Sequence, residues 1–93
     1  MLLSIEYRGQ LALATASARF TREVVAGTVV TDLLKTLAAD EGEQFRRLVL
    51  DENGECGSTL FVALDGEHLR LDAGATIPDS AREMVVMPPI AGG

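Results

Sequence analysis

The chain is poor in the residues that do chemistry, with one cysteine, one histidine, four aromatic side chains and no tryptophan among 93 residues. Each scarcity excludes something. A lone cysteine, Cys56, forms no internal disulfide, which points to a reducing, cytoplasmic setting. It also excludes a cysteine-ligated iron–sulfur cluster, which needs four ligands. One histidine, His68, and scattered carboxylates supply neither a nucleophile–base pair nor a metal cluster, so no catalytic machinery and no bound cofactor or metal are expected. Cys56 lies in a polar stretch with no basic neighbour in sequence to lower its pKa. Gly54 and Gly57 beside it lack the spacing of a phosphate-binding loop. Tyr7, Phe20, Phe45 and Phe61 are too few to make a core, so Leu, Val and Ile must build it. Eight basic against fourteen acidic residues give a net charge of −6. That balance argues against nucleic acid and anionic membranes as partners and suits contact with basic protein patches. No apolar run approaches the roughly 18 residues of a membrane span, and no signal-peptide pattern opens the chain.

What is present is a small, patterned, apolar-rich domain with an apolar fraction of 47%. Leu3, Ile5 and Tyr7 alternate with Ser4, Glu6 and Arg8, the period of a half-buried strand. Residues 10–16, rich in Leu and Ala, suit a helical turn or a tight loop, and residues 20–25 suit a second strand. Val30, Leu33, Leu34, Leu37 and Ala38 recur at three- and four-residue spacing. That spacing predicts a helix capped by Thr28, with Asp32 in its first turn and Gly42 at its end. Residues 43–50 fit a short amphipathic helix with Phe45, Leu48 and Val49 inward, or an irregular loop. Residues 51–57 are polar and glycine-rich, an exposed loop. Residues 59–64 and 67–71 read as strands joined by a hairpin turn at Asp65-Gly66, and residues 83–87 as the last strand. The order strand, strand, helix, strand, strand, strand suits an α+β fold: a mixed sheet of about five strands wrapped around one main helix, the β-grasp. The last strand is expected beside the first and parallel to it, since the helix supplies the crossover. The β-grasp domain is expected to span residues 1–88, with a flexible tail over 89–93.

The tail, Pro89-Ile90-Ala91-Gly92-Gly93, is the most distinctive segment. At average usage two terminal glycines arise by chance in about 0.5% of chains. A diglycine enters a slot too narrow for any other dipeptide and presents its α-carboxylate there. Five extended residues reach about 17 Å, enough to cross a partner's wall to a buried site. Pro88 and Pro89 restrict the conformations lost on threading. A carboxylate acylates poorly at neutral pH; coupling it to AMP supplies a leaving group, and a sulfur donor then displaces AMP to leave a thiocarboxylate.

On these residues the chain resembles the ThiS/MoaD sulfur-carrier family of ubiquitin-like β-grasp proteins. Met87-Pro88-Pro89-Ile90-Ala91-Gly92-Gly93 is close to the family's hydrophobic–Pro–Pro–Val–x–Gly–Gly ending. Gly27 to Leu34 is close to its helix-opening motif, and Leu64-Asp65-Gly66-Glu67 supplies the hairpin. The resemblance implies that Gly93 is adenylated by an ATP-consuming, ubiquitin-activating-type adenylyltransferase and converted to a thiocarboxylate, with Gly92 giving steric access. The sulfur acceptors it implies are the molybdopterin synthase large subunit, thiazole synthase or a cysteine synthase type of enzyme. Strand alternation, together with the family comparison, puts Met87, Arg8 and His68 on the exposed sheet face as docking residues, with Pro88, Pro89 and Ile90 beyond them. Two alternatives stay open: a ubiquitin-like modifier joined through Gly93 to lysines, and a β-grasp interaction module with an inert tail.

Overall fold

A computed structural model describes residues 1–57 and 59–88. The expected tail, 89–93, lies outside the described residues. The first strand, β1 (Leu2–Tyr7), buries Leu3, Ile5 and Tyr7 and turns Ser4 and Glu6 to the other face, as the alternation requires. A short helix α1 (Gln10–Leu13) follows, and β2 (Arg19–Glu23) returns antiparallel to β1 with Ile5 opposite Phe20. The main helix α2 (Val30–Glu41) buries Val30, Leu33, Leu34, Leu37 and Ala38, the stripe set by their spacing. Gly42 separates it from α3 (Glu43–Val49), so the ambiguous segment is a helix, with Phe45 and Val49 buried and Leu48 partly so. The hairpin β3 (Phe61–Leu64) and β4 (Glu67–His68) precedes a 3-10 turn at Leu71–Ala73 and the last strand, β5 (Glu83–Met87).

The sheet order is β2-β1-β5-β3-β4, with β5 parallel to β1 and antiparallel to β3. This is the ubiquitin-like β-grasp: a five-stranded mixed sheet with its inner face closed by α2 and α3. One hydrophobic cluster joins Ile5, Val62, Met84 and Val86 of the sheet to Leu34 and Leu37 of α2 and Phe45 of α3. Tyr7 binds three elements together. Its ring lies 5.4 Å from Phe20 and 4.8 Å, edge-on, from Phe45, at separations where aromatic pairs add attraction beyond their burial.

The boundaries of four expected elements move, each for a local reason. Val29 rather than Thr28 caps α2. The Thr28 hydroxyl instead donates 2.6 Å back to the Val25 carbonyl, while the Val30 N–H goes to the Ala75 carbonyl at 2.9 Å. The crossing segment at residues 75–77 thus satisfies the helix start. The second strand spans 19–23 rather than 20–25, because Val25 lies in a turn whose carbonyl is taken by Thr28. The strands read as 59–64 and 67–71 shrink to 61–64 and 67–68. β3 pairs with β5 over four residues, Phe61 opposite Met87 to Leu64 opposite Met84. After the Leu69 N–H reaches the Val62 carbonyl at 2.8 Å, the chain leaves the sheet and packs Leu69 and Leu71 against the core.

The Asp65-Gly66 turn is present, with φ of 50° and 85° at its two central positions, the left-handed pair of a tight hairpin, which glycine adopts freely. Asp65 has a second task. Its carboxylate accepts the Arg82 and Glu83 N–H groups at 3.0 and 2.9 Å, pinning the start of β5 to the hairpin.

The core assignment makes a direct prediction. Leu34→Ala, at a fully buried position, is expected to cost about 2–5 kcal/mol in urea unfolding. Lys35→Ala, one residue on, removes only a surface pair with Glu55 and should cost under about 1 kcal/mol. Equal losses would show that the buried face of α2 is wrong.

Candidate docking face

The outer face of the sheet is the surface α2 and α3 do not cover. Register fixes its contents: Arg19, Glu6, Val85, Ala63 and His68 form one row across all five strands, and Met87 stands opposite Phe61 in the next. Met87 is half-buried, Arg8 and His68 are exposed, and Val86, Ile5 and Tyr7 point inward, so the alternation read from sequence gives the observed facing. The three residues span the face from the end of β1 to β4, with Met87 of β5 between them. The Arg8 N–H is bonded to the Val86 carbonyl at 2.9 Å, next to Met87. His68 stacks on Phe61, Met87's cross-strand partner, with ring centroids 4.6 Å apart and planes 9° from parallel. Pro88, grouped by the sequence with the docking residues, is buried. Pro89, Ile90, Gly92 and Gly93 lie outside the described residues.

One further residue, Phe61, belongs to this surface. Phe61 was not distinguishable as outward-facing, because Phe-Val-Ala-Leu is apolar throughout and a central strand shows no alternation. Leu13 is 83% exposed on α1, which lies against β5.

Gly9 shapes the end of β5 from the side. Its φ of 63° and ψ of −138° belong to a region open essentially to glycine alone. A Cβ there would meet Pro88 Cδ at 3.8 Å and Met87 Cγ at 3.9 Å. The obstacle to substitution is therefore the backbone, with only ordinary contact behind it.

The electrostatics of the face centre on Glu6. Arg8 Nε donates to one carboxylate oxygen at 2.7 Å and Arg19 Nη2 to the other at 2.6 Å. Hydrogen bonds from Arg8 first and Arg19 second hold the Glu6 pKa down at about 2. Such a carboxylate stays ionised at any physiological pH and neither gives nor takes a proton in a reaction.

Cys56 behaves as an ordinary half-buried thiol. Burial raises its pKa, and the nearby Lys35 only partly opposes this; Lys35 is the basic neighbour that sequence proximity did not reveal. Its Sγ faces the Thr31 carbonyl at 3.9 Å. It borders a groove of about 560 Å³ lined also by Leu60, His68, Leu69 and Leu71. Among the described residues, no three His, Cys, Asp or Glu side chains are placed to hold a metal ion, and no helix is long and apolar enough to cross a membrane.

Comparison with solved structures supports the fold. SAMP1 from Haloferax volcanii superposes with a TM-score of 0.80 at 22% identity, covering 100% of both chains. Urm1 from Trypanosoma brucei gives 0.74 at 15%, covering 99% of this chain and 95% of the other. A molybdopterin converting factor subunit 1 assigned from Pyrococcus furiosus gives 0.68 at 19%, covering 97% and 99%. No family model matches the sequence, and no curated protein does. At these identities the likeness is one of fold, the same fold that the tail and helix motifs implied.

The Glu6 clamp predicts a pH signature. The carboxyl carbon of Glu6 should titrate by NMR with a midpoint of about 2, and Arg19→Gln should move it up toward the ordinary value of about 4.3. A carboxylate whose pKa is depressed by folding adds stability that is full above its unfolded value and lost as pH falls through the folded one. The clamp's contribution should therefore disappear between about pH 4.5 and 2. A midpoint near 4.3 in the unaltered chain would show that the clamp is not formed.

Proposed function

We propose that this chain is a sulfur carrier, a protein co-substrate and not itself a catalyst. The observation that carries the reading is the motif Met87 to Gly93, which continues from the middle strand of a β-grasp sheet and ends on two glycines. Gly93, terminal by synthesis or by cleavage, supplies the reacting carboxylate. In an ATP-dependent activating enzyme, a carboxylate oxygen attacks the α-phosphorus of ATP and pyrophosphate leaves, giving an acyl-adenylate. A sulfur donor then attacks the acyl carbon, the C–S bond forms, and AMP departs with the former carboxylate oxygen. The resulting thiocarboxylate delivers its sulfur to an acceptor synthase, with the molybdopterin, thiazole and cysteine-forming types as the candidate acceptors.

This chain's own contribution is recognition. Met87 and the Phe61–His68 stack make an apolar patch on the open face, where Val85 and Ala63 are buried, and Arg8 and Arg19 flank it. Gly92 lacks the Cβ that would obstruct a narrow channel. The reading is supported by fold neighbours that include the molybdopterin converting factor subunit. A second reading, a modifier joined through Gly93 to lysines, is favoured by the neighbour described as small archaeal modifier protein 1 of H. volcanii. Both begin from the same acyl-adenylate.

Intact mass after incubation with an activating enzyme, ATP and sulfide separates them. Replacement of one oxygen by sulfur marks the carrier, and high-mass adducts in lysate mark the modifier. Deleting Gly93, or adding one alanine after it, should abolish loading while leaving the thermal midpoint unchanged. Gly92→Val should slow it through bulk alone. Met87→Asp should weaken binding to the activating enzyme by more than about 1 kcal/mol. Normal loading of the deletion variant would leave an inert interaction module as the surviving reading.

A further inference from the structure

The strand β2 forms one edge of the sheet, with β1 as its single partner. The Tyr7 N–H goes to the Ala18 carbonyl at 2.7 Å and the Val24 N–H to the Met1 carbonyl at 2.8 Å. The even-numbered residues from 18 to 24 therefore turn their backbone groups to β1. By the alternation of an antiparallel ladder, Arg19, Thr21 and Glu23 turn theirs to the open edge. Such an edge is a template for another strand, and this one is self-complementary. If a second copy lies antiparallel with Thr21 opposite Thr21, Arg19 faces Glu23 twice and the two-fold axis closes the pair. Sliding by two residues sets Arg19 against Thr21 or Val25 instead. Sliding by one turns the donors of one strand toward groups already bonded to β1. Charge thus selects a single register.

The side chains can make these contacts. Arg19 and Glu23 are 69% and 75% exposed, on the same face of the sheet. Arg19 uses Nη2 for Glu6 and Glu23 uses Oε1 for the N-terminal ammonium, leaving other guanidinium donors and Glu23 Oε2 for the contact between copies. On the opposite face the same register brings Phe20 against Arg22 of the other copy, an arrangement that favours a cation over an aromatic ring. We propose that the open edge of β2 is a self-association site where a second copy of this chain adds antiparallel about a two-fold axis through Thr21, each Arg19 facing the other copy's Glu23. The result is a continuous ten-stranded sheet from two five-stranded ones. Met87, on β5, lies two strands in from that edge, so pairing leaves it uncovered. The inference is independent of the carrier reading.

Sedimentation equilibrium from ~10 µM to ~1 mM tests it, because an interface this small belongs to the weak class. The mass is expected to rise from monomer to dimer. Over the same range the amides of Arg19, Thr21 and Glu23 should gain protection from solvent exchange, while those of Phe20 and Arg22, already bonded to β1, should not. Arg19→Glu and Glu23→Arg, each opposing like charges twice, should weaken association by about tenfold. The double variant Arg19→Glu/Glu23→Arg restores the pairing and should recover to within about threefold of the original. Thermal melts establish that each variant folds, and Thr21→Pro, which removes a central donor from an edge where proline is tolerated, should abolish the dimer. A monomer throughout the range, protection at other amides, or a double variant no better than the singles would each overturn the proposal.

Discussion

The parallel pairing of β1 with β5 is the constraint on which the rest of the molecule depends. It joins the first strand to the last, with Ser4 opposite Glu83 and Tyr7 opposite Val86. Side chains alternate with a period of two, so a slip of one residue would exchange the whole set facing α2 for the set facing out. Met84 and Val86 would leave the core, and Val85 and Met87 would enter it. Since β5 also pairs with β3, the same register decides which of Phe61 and Val62 is exposed. Core, open face and the point where the Met87–Gly93 motif begins are therefore set by one alignment. Tyr7, packed between Phe20 and Phe45 at the end of β1, reinforces it, because an inverted register would pull this ring from its cluster.

Much of this arrangement was legible in the sequence, and the legible parts share a property. β1 and α2 are read correctly because each has a strong period, Leu3, Ile5 and Tyr7 at spacing two and Val30 to Ala38 at three and four, and β5 because polar and proline residues bound its apolar run. The Asp65-Gly66 turn is legible from local chemistry alone. The boundaries that moved depend on partners distant in sequence. Thr28 has the side chain of a cap, yet residues 75–77 meet the helix start first. β4 has the composition of a longer strand, yet its end is set by how far β3 runs alongside.

The candidate site divides in the same way. Strand alternation is enough to turn Met87 and Arg8 outward, and a position just after a turn exposes His68. Phe61 is silent because its neighbours are apolar on both sides, so the stacking that joins it to His68 emerges only when β3 and β4 pair. The Glu6 clamp brings residues 6, 8 and 19 together. Its i, i+2 half lies within reach of sequence reasoning, whereas the Arg19 half waits on the β1–β2 register. Asp65 is the sharpest instance: its place in the turn is local, but its bonds to Arg82 and Glu83 span 17 and 18 residues. Contacts of that span have no period to betray them.

The arginine pair on Glu6 has an effect at long range. Arg8 and Arg19 stand against Glu6 and Glu83, which also acts on both guanidiniums, so the four charges cancel within a chain of net charge −6. The acidic surplus is carried elsewhere: Asp32, Asp40, Glu41, Glu43, Asp51, Glu52 and Glu55 lie on α2, α3 and the loop that follows, against Lys35, Arg46 and Arg47. The molecule is thereby an electric dipole with its negative pole on the helical side. An acidic protein diffusing toward it is turned away from that pole before contact and arrives oriented to the sheet, while a basic one is drawn to the helices. Added salt screens this orientation beyond about 8–10 Å, yet leaves the short-range fit to a locally neutral face largely intact. Ionic strength should accordingly act on how often a partner finds the face, and far less on how long it stays.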